Sequence, residues 1–119
     1  MKLAILGCEY CALSDIMHEL KYIPDIILSN GDKNIKQLAE KNHSTLLEYI
    51  PEYKKYNQEW RAIEANYERI IDNCDCVIVF SFKELGLDNA VIYAKRKNKT
   101  IKIVQVICTE IKSKGKKNK

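Results

Sequence analysis

Two cysteines three positions apart, Cys8 and Cys11, close the first apolar run of this sequence, and the turn Asn30-Gly31-Asp32-Lys33 closes the second. Each pattern has a possible chemistry. A Cys-x-x-Cys pair between a strand and a helix resembles the placement of redox dithiols. The thioredoxin fold, however, has a different element order, and small semi-buried thiols are the ordinary alternative. Together with Cys74-x-Cys76 the pair would make four thiolates, a zinc-like set. In a parallel sheet those two pairs fall at opposite strand ends, ~17 Å apart, too far for one metal ion.

The Asn-Gly turn precedes a helical pattern. The first turn of a helix carries unpaired N–H groups with partial positive charge, which suit a phosphate or another anion. Gly31 would let a ligand approach the main chain, and Lys33 would add a point charge. The competing reading is that Asn30 or Asp32 caps the helix. Neither GxGxxG nor GxxxxGK[ST] is present. Of the four glycines at 7, 31, 86 and 115, three fall just after an apolar run or in the loop that follows it. His18 and His43 have no nucleophile or carboxylate at a suggestive spacing and read as surface residues. Tyr49, Tyr53, Tyr56 and Trp60 offer faces either for stacking a planar ring or for an interface.

The elements that must position these residues follow from periodicity. Residues 2–6, 25–29, 46–50, 76–81 and 101–107 read as strands, with Pro51 ending the third. Residues 12–22, 32–42, 59–73 and 87–97 read as helices; Ile63, Tyr67, Ile70 and Ile71 give the clearest helical face. The run Cys76-Val77-Ile78-Val79-Phe80-Ser81 shows no alternation, as expected of a strand buried on both sides. Strands alternating with helices predict an α/β, Rossmann-like three-layer sandwich with a five-stranded parallel sheet and four helices.

In such a sheet ligands bind beyond the carboxyl ends of the strands, near the switch point in strand order. That rule selects the segments Gly7 to Cys11, Asn30 to Asn34, Tyr53 to Trp60 and Ser81 to Asn89, and within them Gly7, Cys8 and Glu9 after the first strand and Asn30, Gly31, Asp32 and Lys33 after the second. It adds Tyr56 after the third, and Ser81, Gly86, Asp88 and Asn89 after the fourth. Carboxylates in reach of this rim are Glu9, Asp32, Glu84 and Asp88.

The chain has 119 residues, 46% hydrophobic and 30% charged, which fits one domain over 1–109. The net charge of +4 is concentrated in Lys112–Lys119, read with residues 110–119 as a basic disordered tail. A nearly neutral body argues against nucleic-acid binding. No apolar run approaches the ~20 residues of a membrane span. The opening MKLAILGCEYC reads as a strand rather than a signal peptide, so a cytoplasmic chain with reduced thiols is expected.

The order of these motifs resembles the SLOG superfamily, the Rossmann-like group that includes DprA- and LOG-type domains, and in particular its small stand-alone YpsA-like branch. The likeness lies in Leu6-Gly7-Cys8, the turn Ser29 to Lys33, the segment Pro51 to Tyr56, Asn66 before Asp75-Cys76-Val77-Ile78-Val79-Phe80, and Gly86 to Ile92. Glu9 stands where family members often carry Arg, Lys36 stands near an Asp position, and no PGGxGT loop is present. The resemblance implies a nucleotide-derived ligand, ADP-ribose-like or a cyclic nucleotide signal, with Asn66 among the contacts. It implies a domain that binds without turnover, as a sensor or as a sequestering protein in phage or bacterial anti-defence, and that assembles as a dimer or tetramer. Phosphates would sit at Gly7 and Gly31, and a base or ribose near Tyr56, Ser81, Asp88 and Asn89. No catalytic residue, metal or cofactor is expected. The alternatives are a LOG-like hydrolase of nucleotide N-glycosidic bonds and an interaction module with a vestigial cleft.

Overall fold

The computed structural model describes residues 1–8, 11–20, 22–81 and 87–105. The chain runs β1 (Lys2–Leu6), α1 (Leu13–His18), β2 (Ile26–Ser29), α2 (Lys33–Asn42), β3 (Thr45–Glu48), a single 3-10 turn (Tyr53–Lys55), α3 (Glu59–Asp72), β4 (Cys76–Ser81), α4 (Leu87–Arg96) and β5 (Thr100–Gln105). All five strands are parallel, in the order β3-β2-β1-β4-β5. This is the expected α/β, Rossmann-like arrangement. The tail at 110–119 lies outside the described residues.

Strands β1, β2, β4 and β5 divide their side chains between two cores, because successive residues point to opposite faces. Leu3, Ile5, Ile27, Ile78 and Phe80 pack with Ile16 of α1 and with Ile35, Leu38 and Ala39 of α2. Ala4, Leu6, Leu28, Val77 and Val79 pack with Tyr67, Ile70 and Ile71 of α3 and with Leu87, Ala90 and Ala94 of α4. Both faces of the central strands are thus covered, which explains their unbroken apolar sequence.

Some boundaries differ from the periodic pattern. Helix α1 ends at His18, four residues early, with Glu19 and Leu20 closing onto Ile16 and Met17. Strand β3 begins at Thr45 and ends at Glu48. The Tyr49 N–H makes the last bond to Ser29 O, and the Tyr49 carbonyl then turns to a side chain of α3. Helix α2 keeps its expected length because Asp32 caps its start and His43, at φ 56°, closes its end.

Candidate functional site

The carboxyl rim is built from the exits of β1, β2, β3 and β4. Strand order reverses between β1 and β4, so the chain leaves β1 toward α1 on one face and β4 toward α4 on the other. That divergence defines the switch point of an open parallel sheet.

Gly7 stands at this point with φ 80°. A β-carbon there would meet Phe80 O at 2.3 Å and Leu87 Cδ2 at 3.1 Å. The missing side chain therefore admits the backbone of β4 and the first residue of α4. Cys8 follows, buried, and the Cys11 N–H donates to Cys8 O at 3.1 Å.

The β2 exit is organised by its own side chains. The buried Ser29 Oγ accepts from the N–H groups of Gly31 (3.1 Å) and Asp32 (3.2 Å). Asp32 Oδ1 accepts from the Asn34 N–H at 2.8 Å. Three amides that the sequence offers to an anion are hence engaged inside the protein, and Asp32 is the helix cap. Gly31 has φ 97°, and a β-carbon on it would stand 2.7 Å from Ile50 Cδ1. The flexible tip of Ile50, not open space, faces this glycine. Asn34 joins the two exits: its amide donates to Cys8 O at 3.0 Å and to Cys11 O at 2.8 Å.

At the β3 exit the buried Asn66 donates to Tyr49 O at 2.6 Å and accepts from Arg69 at 2.7 Å. Arg69 also reaches Ile50 O and Glu52, and lies over the Tyr49 ring at 5.5 Å. Asn66 thus holds the chain leaving the sheet. Tyr56 is half-buried, while Tyr53 and Trp60 are exposed.

At the β4 side, Ser81 ends the strand opposite Gln105. Asp88 is exposed in the first turn of α4. Asn89 turns toward α3, where it donates to Glu64 Oε2 at 3.2 Å in a cavity of about 190 Å³ also lined by Tyr67, Glu68, Tyr93 and Arg96. Along this α3–α4 seam the Tyr93 hydroxyl donates to Asp72 at 2.8 Å, and that bond holds the phenol above its ordinary pKa. Glu9, Glu84 and Gly86 lie outside the described residues. The structure therefore brings Gly7 and Cys8 beside Asn30 to Lys33 on neighbouring strands, places Asn66 and Tyr56 around the β3 exit, and directs Asn89 to a separate helix seam.

A second cavity, about 350 Å³, opens at the opposite rim among Met1, Leu3, Leu20, Tyr22, Cys76 and Ile78. The Glu19–Lys102 ion pair at 2.9 Å crosses its edge from α1 to β5. Cys76 pairs in register with Leu3, which fixes it at the amino end of the sheet, away from Cys8 and Cys11.

Sequence reasoning placed Ser29 and Asn34 in the turn after β2 without giving either a bond, and passed over Arg69; these three residues give the rim its shape. Ser29 had a signal: a serine two and three positions ahead of turn amides favours this local bonding. Asn34 and Arg69 act on segments distant in sequence and carried no local signature. Comparison of the chain with protein-family models, with curated proteins and with solved structures finds no match in any of the three.

Proposed function

We propose that this chain is a binding domain for a nucleotide-derived, phosphorylated small molecule, held at the carboxyl rim without turnover. The observation that carries the reading is the reversal of strand order between β1 and β4, where Gly7 sits and the helices that follow, α1 and α4, lie on opposite faces. Ser29 and Asp32 already engage the Gly31, Asp32 and Asn34 amides, so the proposed phosphate position shifts from the α2 turn toward the β1 exit and the first turn of α4. Asn30 and Lys33 form the neighbouring wall, with Lys33 exposed to supply charge. Asp32 is occupied as a cap, which favours binding over catalysis by that carboxylate. A sequestering or sensing role, in the manner the SLOG resemblance implies, follows from binding without conversion.

Calorimetry against ADP-ribose, its cyclised derivatives and cyclic dinucleotides tests the proposal. Saturable binding at ~10 μM or tighter, about −7 kcal/mol, is expected for one class. Absence of heat with every one of them at high micromolar concentration would overturn it. Chromatography of the recovered ligand separates binding from N-glycosidic hydrolysis: the ligand should return unchanged.

A second reading is an assembly module. It is favoured by Leu47, Ile50, Tyr53 and Trp60, large apolar residues that stay exposed around β3 and its exit. Sedimentation would support it by showing a dimer or tetramer that Ile50→Asp dissociates.

A further inference from the structure

One motif remains without a role in the binding reading, the pair Cys8 and Cys11. The Cys11 N–H donates to Cys8 O at 3.1 Å, a bond between residues three apart in sequence. Such a bond keeps the two Cα atoms within ~7 Å, and disulfides span Cα separations of ~4.4–6.8 Å. Both thiols point back at the same short stretch of main chain. Cys8 Sγ lies 3.8 Å from Leu6 O, and Cys11 Sγ lies 3.9 Å from Gly7 O. Asn34 fixes the turn from the α2 side by holding both Cys8 O and Cys11 O.

We propose that Cys8 and Cys11 are a reversible dithiol–disulfide pair, oxidised by a low-molecular-weight disulfide of the glutathione class. Exposure sets the order of events. Cys11 is partly exposed, whereas Cys8 is 1% exposed and hidden from a bulky oxidant. The Cys11 thiolate attacks one sulfur of the small disulfide, forming a mixed disulfide and expelling one small thiolate. The Cys8 thiolate then attacks Cys11 Sγ; the Cys8–Cys11 bond forms as the mixed bond breaks, and a second small thiolate leaves. The two protons given up by the cysteines end on the two small thiols. The chain loses two hydrogens and the small disulfide gains them.

The remaining described thiols are poor competitors. Cys76 sits opposite Leu3, about one strand length or ~17 Å from the turn. Cys74 is buried, and burial pushes its thiol up to about 11. Closure of the disulfide would clamp the β1 exit to the first turn of α2 through Asn34, so oxidation stiffens the rim whether or not a ligand binds there.

The test uses the full chain in glutathione buffers of graded oxidised-to-reduced ratio, followed by acid quench, alkylation and peptide mapping by mass spectrometry. The peptide carrying Cys8 and Cys11 should lose two hydrogens and both alkyl groups together, and regain them in reduced glutathione, while Cys74 and Cys76 stay alkylated. Cys8→Ser should trap a glutathione adduct on Cys11, and Cys11→Ser should leave Cys8 unmodified. The proposal is overturned if the wild-type peptide keeps both alkyl groups in fully oxidised buffer, or if either cysteine is recovered linked to Cys108 or to a second chain. The wild-type map decides the matter even if a variant fails to fold.

Discussion

Gly7 and Phe80 touch main chain to main chain: a β-carbon on the glycine would stand 2.3 Å from the Phe80 carbonyl oxygen. At φ 80° Gly7 also occupies a region that side chains disfavour by about 1–2 kcal/mol. Gly7→Ala should therefore cost ~3 kcal/mol or more, combining strain with displacement of the β4 backbone. Gly31→Ala meets only the tip of Ile50 and should cost about 1–2 kcal/mol. Urea titrations of the two variants check the ranking, and equal losses would refute it.

Asn66 is the second test of the rim. Its amide satisfies Tyr49 O and binds Arg69 while 3% exposed. Asn66→Ala removes both bonds and leaves a carbonyl to find another donor, for a loss of ~1–3 kcal/mol. Arg69→Ala should cost less, about 1 kcal/mol, because Arg69 is exposed to water. A double-mutant cycle should show coupling between the two positions. Strict additivity would mean that the pair does not act together.

The two caps of the β2 exit make a prediction that links stability to binding. Asp32→Ala deletes the acceptor for the Asn34 N–H and should cost about 0.5–2 kcal/mol. Because Asp32 holds an amide rather than a ligand in the proposed arrangement, affinity for a phosphorylated ligand should fall less than threefold. A large loss of affinity, measured by calorimetry at equal folded fraction, would relocate the ligand to α2.

Glu19 supplies the pH test. Its bond to Lys102 holds its carboxyl below the ordinary glutamate pKa. A carboxylate whose folded pKa is depressed contributes stability above its unfolded pKa, and that contribution fades as pH falls through the folded value. The difference in stability between wild type and Lys102→Met should thus be present at neutral pH and vanish on acidification. Carboxyl carbon NMR should show the Glu19 midpoint rising in Lys102→Met. An unchanged midpoint would show that the ion pair does not form in solution.

The layout was readable because the central strands carry a face toward each core. Val77 and Val79 serve one side and Ile78 and Phe80 the other, which leaves an apolar run no surface strand would carry. The end of β3 was not readable, since Leu46 to Ile50 stays apolar past Glu48 and the stop depends on Asn66 taking Tyr49 O. The rim was legible in outline only. Asp32 announced itself as a cap candidate by its place ahead of a helical pattern. Ile50 over Gly31 and Phe80 against Gly7 arise from pairing across the sheet, and no local pattern encodes which side chain arrives at a glycine from another strand.

The reciprocal bonds between Lys2 and Asp75, 73 residues apart, have a consequence for biosynthesis. Strand β1 emerges early from the ribosome, yet the neighbour that covers its second edge is made only after β2, β3 and the three helices α1, α2 and α3. At ~5–20 residues per second that interval is about 4–15 s. Throughout it the nascent chain presents the open edge of an apolar strand, the kind of surface that chaperones shield. Yield of active material from translation should consequently respond more to chaperone supply than the finished fold's own stability would indicate.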